Sequence, residues 1–310
     1  MTYNTEIIEL ARAEQIVPAY RRALNRKDGV NTILVELMNI LITGGNGYIA
    51  KSLSKGLWLG SDRNNITLIT RKDFNLTDRN ATNEWFKGKY FDIIIHTATV
   101  GGSRLKTDDA DVFYQNIQMF YNLLNNKHYF GKLINFGSGA ELNMPTDPYG
   151  LSKNIISKII DAEPHFYNIR IYGVFDENEL DTRFIKNNIK RYINREPLKI
   201  HQNKIMDFFY MEDLITLVKH YLSEDHLPKN VDCSYDYNHS LYNIAHIINN
   251  LSDYKVDIEL TGGVLGHDKY AGEYNHTITG DYVGLVIGID KTYEKLLEEN
   301  HFKNQKGIIV

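Results

Sequence analysis

Short apolar runs alternate with longer amphipathic stretches through the first two-thirds of the chain, and this alternation predicts its elements. Ile40-Leu41-Ile42 is an apolar run rich in β-branched residues, the pattern of a parallel strand buried on both faces. Ile66–Thr70, Phe91–His96 and Lys132–Phe136 repeat the signal. Between them the period becomes helical, over Tyr48–Leu57, Arg79–Lys87 and Asp111–Asn125, the last with Val112, Ile117, Phe120, Leu123 and Leu124 at its apolar positions. A further helix opens after Pro148, with Leu151, Ile155, Ile156, Ile159 and Ile160 on its apolar positions. Strands and helices alternating at this spacing predict an α/β fold built on a doubly wound parallel sheet. Further along, Phe184–Ile193, Met211–Leu222 and Leu241–Leu251 read as helices and Leu198–His201 as a strand. Residues 1–37 stand apart as an N-terminal extension. There Glu6–Leu24 is an amphipathic segment interrupted at Pro18, followed by a loop at Lys27–Asn31 and an apolar run at Ile33–Leu37.

The exit from the first strand carries the first chemistry. Gly44 and Gly47 follow Ile42 closely, Ala50 comes three residues later, and the chain then continues as a helix from Tyr48. A strand turning into a helix through glycines gathers free backbone N–H groups at the positive end of a helix dipole, which suits a pyrophosphate. Gly44 permits the turn, Gly47 lets a phosphate approach the backbone, and small Ala50 lets helix pack on strand. The second strand ends in Thr70-Arg71-Lys72. An acidic residue at that place would bind a ribose 2′-hydroxyl, whereas an arginine accommodates a 2′-phosphate, so the charge favours NADP over NAD. The alternative is a pair of solvated loop charges. After Phe91–His96 come the small residues Thr97, Ala98, Thr99, Gly101 and Gly102, against which a flat ligand can lie.

Tyr149 and Lys153 are four apart at the start of a helix, so both side chains project from one face. A neighbouring ammonium lowers the pKa of a phenol from its usual value near 10, making it usable for proton transfer. Ser138, at the end of the preceding strand, is placed to hydrogen-bond the same substrate oxygen. With 21 tyrosines in the chain the pair alone is unspecific, but its position after a glycine turn and a serine-bearing strand is not.

Composition narrows the class. In 310 residues, 43% apolar and 24% charged, there is ample interior for a sizeable core, and the net charge of −4 gives no reason to expect nucleic acid. Cys233 is the only cysteine, which excludes an intrachain disulfide and a cysteine-based zinc site. His239, His246, His267 and His276 lack metal-ligand spacing, so no metal is expected. No apolar run approaches the length of a membrane span, and the first residues do not resemble a secretory signal. A cytoplasmic location is expected.

These motifs resemble the extended short-chain dehydrogenase/reductase family of NAD-dependent epimerases and dehydratases. Thr43-Gly44-Gly45-Asn46-Gly47-Tyr48-Ile49-Ala50 looks like its cofactor motif, and His96-Thr97-Ala98-Thr99 like its His-Leu-Ala-Ala segment. Ser138, Tyr149 and Lys153 match its catalytic triad, and Asn116 its structural asparagine. Arg170-Ile171-Tyr172-Gly173 resembles the strand that meets the nicotinamide, and Asp207–Asp213 its late Arg-Asp-Phe-x-Tyr-Val-x-Asp segment. Residues 70–78, with Asn75 and Leu76, and the stretch 98–102 look most like GDP-fucose synthase-like enzymes.

The resemblance implies a Rossmann-type cofactor domain over 38–178, whose core strands continue intermittently beyond. It also implies a smaller, mainly substrate-binding region over 179–310, a nucleotide-sugar substrate and a homodimer. The departures bear on the reaction. Only eleven positions separate Ser138 from Tyr149, a trimmed interval. Met206 stands where an arginine would meet a nucleotide diphosphate, with Lys204 and Arg183 as alternative sources of charge, and Gly173 replaces an asparagine. Gly139-Ala140 replaces the acidic pair of the 4,6-dehydratases. Ala140 and Arg183 fall where GDP-fucose synthases place an acid–base cysteine and histidine. The expectation is an NADP-dependent 4-keto sugar reductase. An epimerase of the same family and a non-catalytic dinucleotide sensor remain as alternatives.

Overall fold

The structure is a computed structural model and describes residues 38–58, 65–103, 106–224, 226–262, 269–276 and 280–305. The expected features at 6–24, 27–31 and 33–37 therefore lie outside the described residues. The first half alternates through β1 (Asn39–Thr43), α1 (Tyr48–Trp58), β2 (Asn65–Ile69), α2 (Arg79–Phe86), β3 (Phe91–His96) and α3 (Ala110–Asn125). It continues with β4 (Phe130–Ser138), the one-turn α4 (Ala140–Asn143), α5 (Pro148–Ala162) and β5 (Phe166–Ile171). Next come β6 (Val174–Phe175), α6 (Phe184–Ile193), β7 (Leu198–Ile200), β8 (Ile205–Met206), β9 (Phe209–Tyr210) and α7 (Met211–Ser223). The rest comprises β10 (Asn230–Asp232), α8 (Leu241–Asn249), β11 (Ile258–Leu260), β12 (Lys269–Tyr270) and α9 (Leu285–Gln305).

Six strands form one parallel sheet in the order β2-β1-β3-β4-β5-β10. The chain leaves β1 toward one edge and returns on its other side at β3. The C-terminal ends of β1 and β3 therefore flank a crevice at the point where the strand order reverses. Alternate residues of each strand feed opposite faces. Ile40, Ile42, Ile93 and Ile95 pack with Leu53 and Leu57 of α1 and with Leu214, Leu217 and Tyr221 of α7. Leu41, Ile94 and Leu133 pack on the other face with Phe86, Met119, Phe120, Ile156 and Ile160. Burying each such aliphatic side chain contributes about 1.5–3 kcal/mol. A third cluster, including Ile185, Ile189, Tyr192, Leu198, Ile244, Ile248 and Ile289, forms the core of the smaller region.

The two regions interleave along the chain. After residue 178 the chain returns to the first layer, where α7 packs on α1 and β10 extends the sheet beside β5. β4 also runs past Phe136, because Gly137 and Ser138 stay in register with Arg170 and Ile171 of β5. That extension delivers Ser138 to the end of the sheet.

Asp147, Pro148 and Gly150 fix the start of α5. The Asp147 carboxylate accepts the Tyr149 N–H at 3.0 Å, and Pro148 occupies the first helical turn, where its missing N–H costs nothing. A Cβ on Gly150 would lie 1.9 Å from the Met144 carbonyl oxygen and 2.8 Å from that of Ala140. Only glycine lets α5 approach α4 so closely. Gly150→Ala is therefore expected to destabilise the fold by about 1–3 kcal/mol through overpacking. Thermal unfolding read by circular dichroism checks this; an unchanged Tm would contradict the contact.

Candidate active site

The phosphate cradle forms where β1 becomes α1. Gly44 has φ +69° and faces the chain after β3, where an added Cβ would lie 2.9 Å from Ala98 Cα. Gly45 N–H donates to the Ile69 carbonyl and Gly47 N–H to that of Gly44, each at 2.8 Å, so the loop is shaped by its own backbone. Asn46 and Gly47 are exposed, and the first turn of α1 bearing Tyr48 and Ile49 carries no acidic side chain, leaving its positive end for an anion. The Tyr48 hydroxyl donates to Asp176 Oδ1 at 2.7 Å and ties the cradle to the segment after β6. These residues fit a dinucleotide pyrophosphate.

The second wall is the segment after β3. Thr97 Oγ1 donates to the Thr43 carbonyl at 2.7 Å, and Ala98 N–H donates to Thr43 Oγ1 at 3.1 Å, so the two strand ends are bonded to each other. Asn116, buried in α3, accepts the Val100 N–H at 2.8 Å, donates to the Val100 carbonyl at 2.9 Å and reaches Ser152 Oγ at 3.2 Å. Thr99 Oγ1 donates to Asn116 Oδ1 at 3.3 Å. Asn116 thus fixes the Thr97–Val100 wall relative to α5. At the rim, Arg71 and Lys72 are exposed on the turn after β2. The Asp73 carboxylate accepts the Thr70 N–H at 2.8 Å and its hydroxyl at 2.9 Å, so the nearest acid is committed to the turn. Asn75 Oδ1 accepts the Thr77 N–H at 3.2 Å. Leu76 is placed differently from a rim residue, because its side chain is in the core and its carbonyl accepts from Asn122 at 2.9 Å.

Ser138, Tyr149 and Lys153 converge beside that wall. Tyr149 is hydrogen-bonded by Ser138 and by Thr99. Lys153 Nζ lies 5.7 Å from the centre of the Tyr149 ring and donates to the Phe136 carbonyl at 2.8 Å. From sequence, the ammonium should lower the phenol's pKa. Instead, burial pushes Tyr149 up to about 12, against the opposing effect of its hydrogen bonds to Ser138 and Thr99. Burial also pushes Lys153 down to about 8, partly opposed by the charge of Glu141. At neutral pH the phenol therefore carries its proton.

Glu141 lies on α4 and is fully buried. Its carboxylate pairs with Arg170 Nε at 2.9 Å and accepts from Asn168 at 3.1 Å. Burial raises it to about 7 even so. Arg170 Nη1 in turn donates to Asp232 Oδ1 of β10 at 2.9 Å. Tyr172 packs on Gly139, where a Cβ would lie 2.3 Å from its ring, and its hydroxyl donates to Asp232 Oδ2 at 3.4 Å.

The chain has known relatives. The family model described as "NAD dependent epimerase/dehydratase family" matches residues 40–238. The chain belongs to this NAD-dependent epimerase/dehydratase family. Its members are NAD(P)-dependent nucleotide-sugar epimerases, dehydratases and reductases, and this chain is an enzyme of that group. CDP-abequose synthase of Yersinia pseudotuberculosis is 22% identical over 259 residues, spanning 75% of this chain and 90% of the relative. GDP-mannoheptose C4 reductase from Campylobacter jejuni, solved with NADP bound, superposes with a TM-score of 0.68 at 15% identity, covering 83% of this chain and 98% of its own. GDP-L-fucose synthetase from Naegleria fowleri, bound to NADP, gives 0.66 at 15% identity, covering 85% and 94%. At such identities the solved structures speak for the shared fold.

The departures from the epimerase/dehydratase pattern have physical causes here. A Cβ at Gly173 would lie 2.9 Å from the Phe208 ring and 3.0 Å from the Asp207 carbonyl, so the site has no space for the family's asparagine. Met206 is buried in the core of the smaller region, Arg183 is exposed at the start of α6, and Lys204 Nζ lies 5.9 Å from the Tyr270 ring. Tyr270 and Asp232 border the cluster without any sequence signal. They arrive on a two-residue and a three-residue strand, too short to show a period. Among the described residues no group of histidines, cysteines and carboxylates is arranged to hold a metal, and no helix is long and apolar enough to cross a membrane.

The Lys153 shift carries a pH signature. Above about 8 its ammonium loses the proton, and the positive charge behind the phenol goes with it. Turnover is expected to decline as pH rises through about 8, and a kcat/KM profile flat across that range would contradict it.

Proposed function

We propose that the protein is an NADP-dependent 4-keto reductase of nucleotide sugars working through Ser138, Tyr149 and Lys153. NADPH, when bound, supplies a hydride to the keto carbon. Tyr149 gives its proton to the oxygen that takes up the carbonyl electron pair, and Ser138 hydrogen-bonds that oxygen. Lys153 keeps positive charge beneath the phenol as the proton leaves. Gly44, Asn46, Gly47, Tyr48 and Ile49 hold the pyrophosphate, and Thr97–Thr99 form the floor. Because Asp73 is occupied by Thr70, Arg71 is the group that addresses the adenosine ribose, and it favours a 2′-phosphate. The exposed Tyr114 and Tyr121 of α3 and Leu151 of α5 support a homodimer through that face.

One observation carries reduction over epimerisation at the carbons flanking the carbonyl. Moving a proton at a ring carbon needs an acid–base pair flanking the sugar. Ala140 has no titratable group, Arg183 stays protonated, and Glu141 is buried against Arg170 and turned away from solvent. In D₂O with NADPH and a 4-keto-6-deoxy nucleotide sugar, the expected product is the alcohol without deuterium at the carbons next to the carbonyl. Deuterium there beyond a no-enzyme control, read by NMR, would overturn the reductase reading.

The cofactor assignment has its own test. A charge-assisted contact to the 2′-phosphate is worth about 1.5–3 kcal/mol, roughly one to two decades in affinity. Fluorescence titration should show NADPH binding more tightly than NADH, with Arg71→Ala removing most of the difference. Equal affinities would refute it.

A further inference from the structure

Besides Ser138 and Tyr149, a third hydroxyl reaches the reacting position. Tyr270 Oη lies 3.4 Å from Ser138 Oγ. It arrives on the segment 269–276, which is tied over the C-terminal ends of β4, β5 and β10. The Tyr270 carbonyl accepts the Asp207 N–H at 3.2 Å, as β12 pairs with β8. Two residues on, Gly272 N–H donates to Asp207 Oδ2 at 2.8 Å and Glu273 N–H to Asp232 Oδ2 at 2.9 Å. Gly272 makes this closeness possible, since a Cβ there would lie 2.5 Å from Asp232 Cβ and 2.7 Å from the Tyr172 ring. The Tyr270 ring meets Tyr172 edge-on, centroids 5.2 Å apart. Backbone bonds on both sides and a ring contact thus fix where its hydroxyl points.

Ser138 Oγ accepts the Ala140 N–H at 3.2 Å, and its own proton remains available for a further acceptor. Two hydroxyls 3.4 Å apart can both donate to a single oxygen placed about 2.8 Å from each. We infer that Tyr270 is a further catalytic residue: its hydroxyl and that of Ser138 together hold the carbonyl oxygen, leaving Tyr149 to transfer the proton. This rests on the reductase reading above. In the step the C=O π bond breaks as the hydride of NADPH forms the new C–H bond, and the electron pair moves to oxygen. Tyr149 then supplies the proton, NADP⁺ and the alcohol are released, and Tyr270 keeps its own proton throughout. Donors aimed at an oxygen gaining charge act more strongly in the transition state than on the ketone. Their loss therefore falls on kcat.

The test compares the wild-type enzyme with Tyr270→Phe, which keeps the ring against Tyr172, using NADPH and 4-keto-6-deoxyhexoses carried on UDP, CDP, GDP and dTDP. With whichever sugar the wild type reduces, the variant should lose about 10- to 1,000-fold in kcat, with KM and NADPH affinity within a few-fold. An unchanged kcat overturns the role of Tyr270, and so does a raised KM at full kcat, which would place the hydroxyl on another part of the sugar. A wild type that binds NADPH and reduces none of the four overturns the reductase reading itself, and this role with it.

Discussion

The half-buried charge of Arg170 organises the end of the sheet beside Ser138. It is shared between Glu141 on α4 and Asp232 on β10, so three elements distant in sequence are held by one guanidinium. In a site this sheltered, leaving either carboxylate without its partner costs about 3–5 kcal/mol. The arrangement also extends outward. Asp232 accepts from Glu273 and Tyr172 with its second oxygen, and so passes the position of β5 to the segment bearing Tyr270.

Much of the first half of the molecule was legible in the sequence because local rules coincide there. The run Ile40–Ile42 alternates between the two faces of the sheet, α2, α3 and α5 begin at aspartate caps, and Gly44 adopts the left-handed conformation its position demands. Ser138, Tyr149 and Lys153 could be placed together because strand end and helix start are both local signals. What escaped was long-range. The surroundings of Leu76, a cofactor-binding candidate by resemblance, are set by Asn122 on a helix some forty-six residues later. The pKa of Tyr149 was misjudged because burial outweighs an ammonium already engaged by the Phe136 carbonyl. Glu141 is turned inward by Arg170 and Asn168, neither of which is near it in the chain.

The interleaving of the two regions has a further physical logic. The chain completes most of the sheet, leaves to build the smaller core, and returns with α7 and β10 to cover α1 and the open edge beside β5. Separating the regions would expose apolar surface on both. The cofactor cradle and the substrate side are therefore parts of one folded unit, and a ligand binding at their junction meets walls already joined by hydrogen bonds.

The contact at Gly150 also bears on how such an enzyme diversifies. With the backbone of α5 pressed against the carbonyls of Ala140 and Met144, the serine-bearing strand end and the tyrosine-bearing helix form a rigid block. No side chain can be inserted between them, so the relative position of the two hydroxyls is inherited with the backbone and is not tuned residue by residue. The segment at 269–276 meets that block through Tyr270 and is tied to Tyr172 and Asp232. Ser138 and Tyr149 thus move as one piece, whereas Tyr270 reaches them from a stretch of chain anchored separately through Asp207 and Asp232.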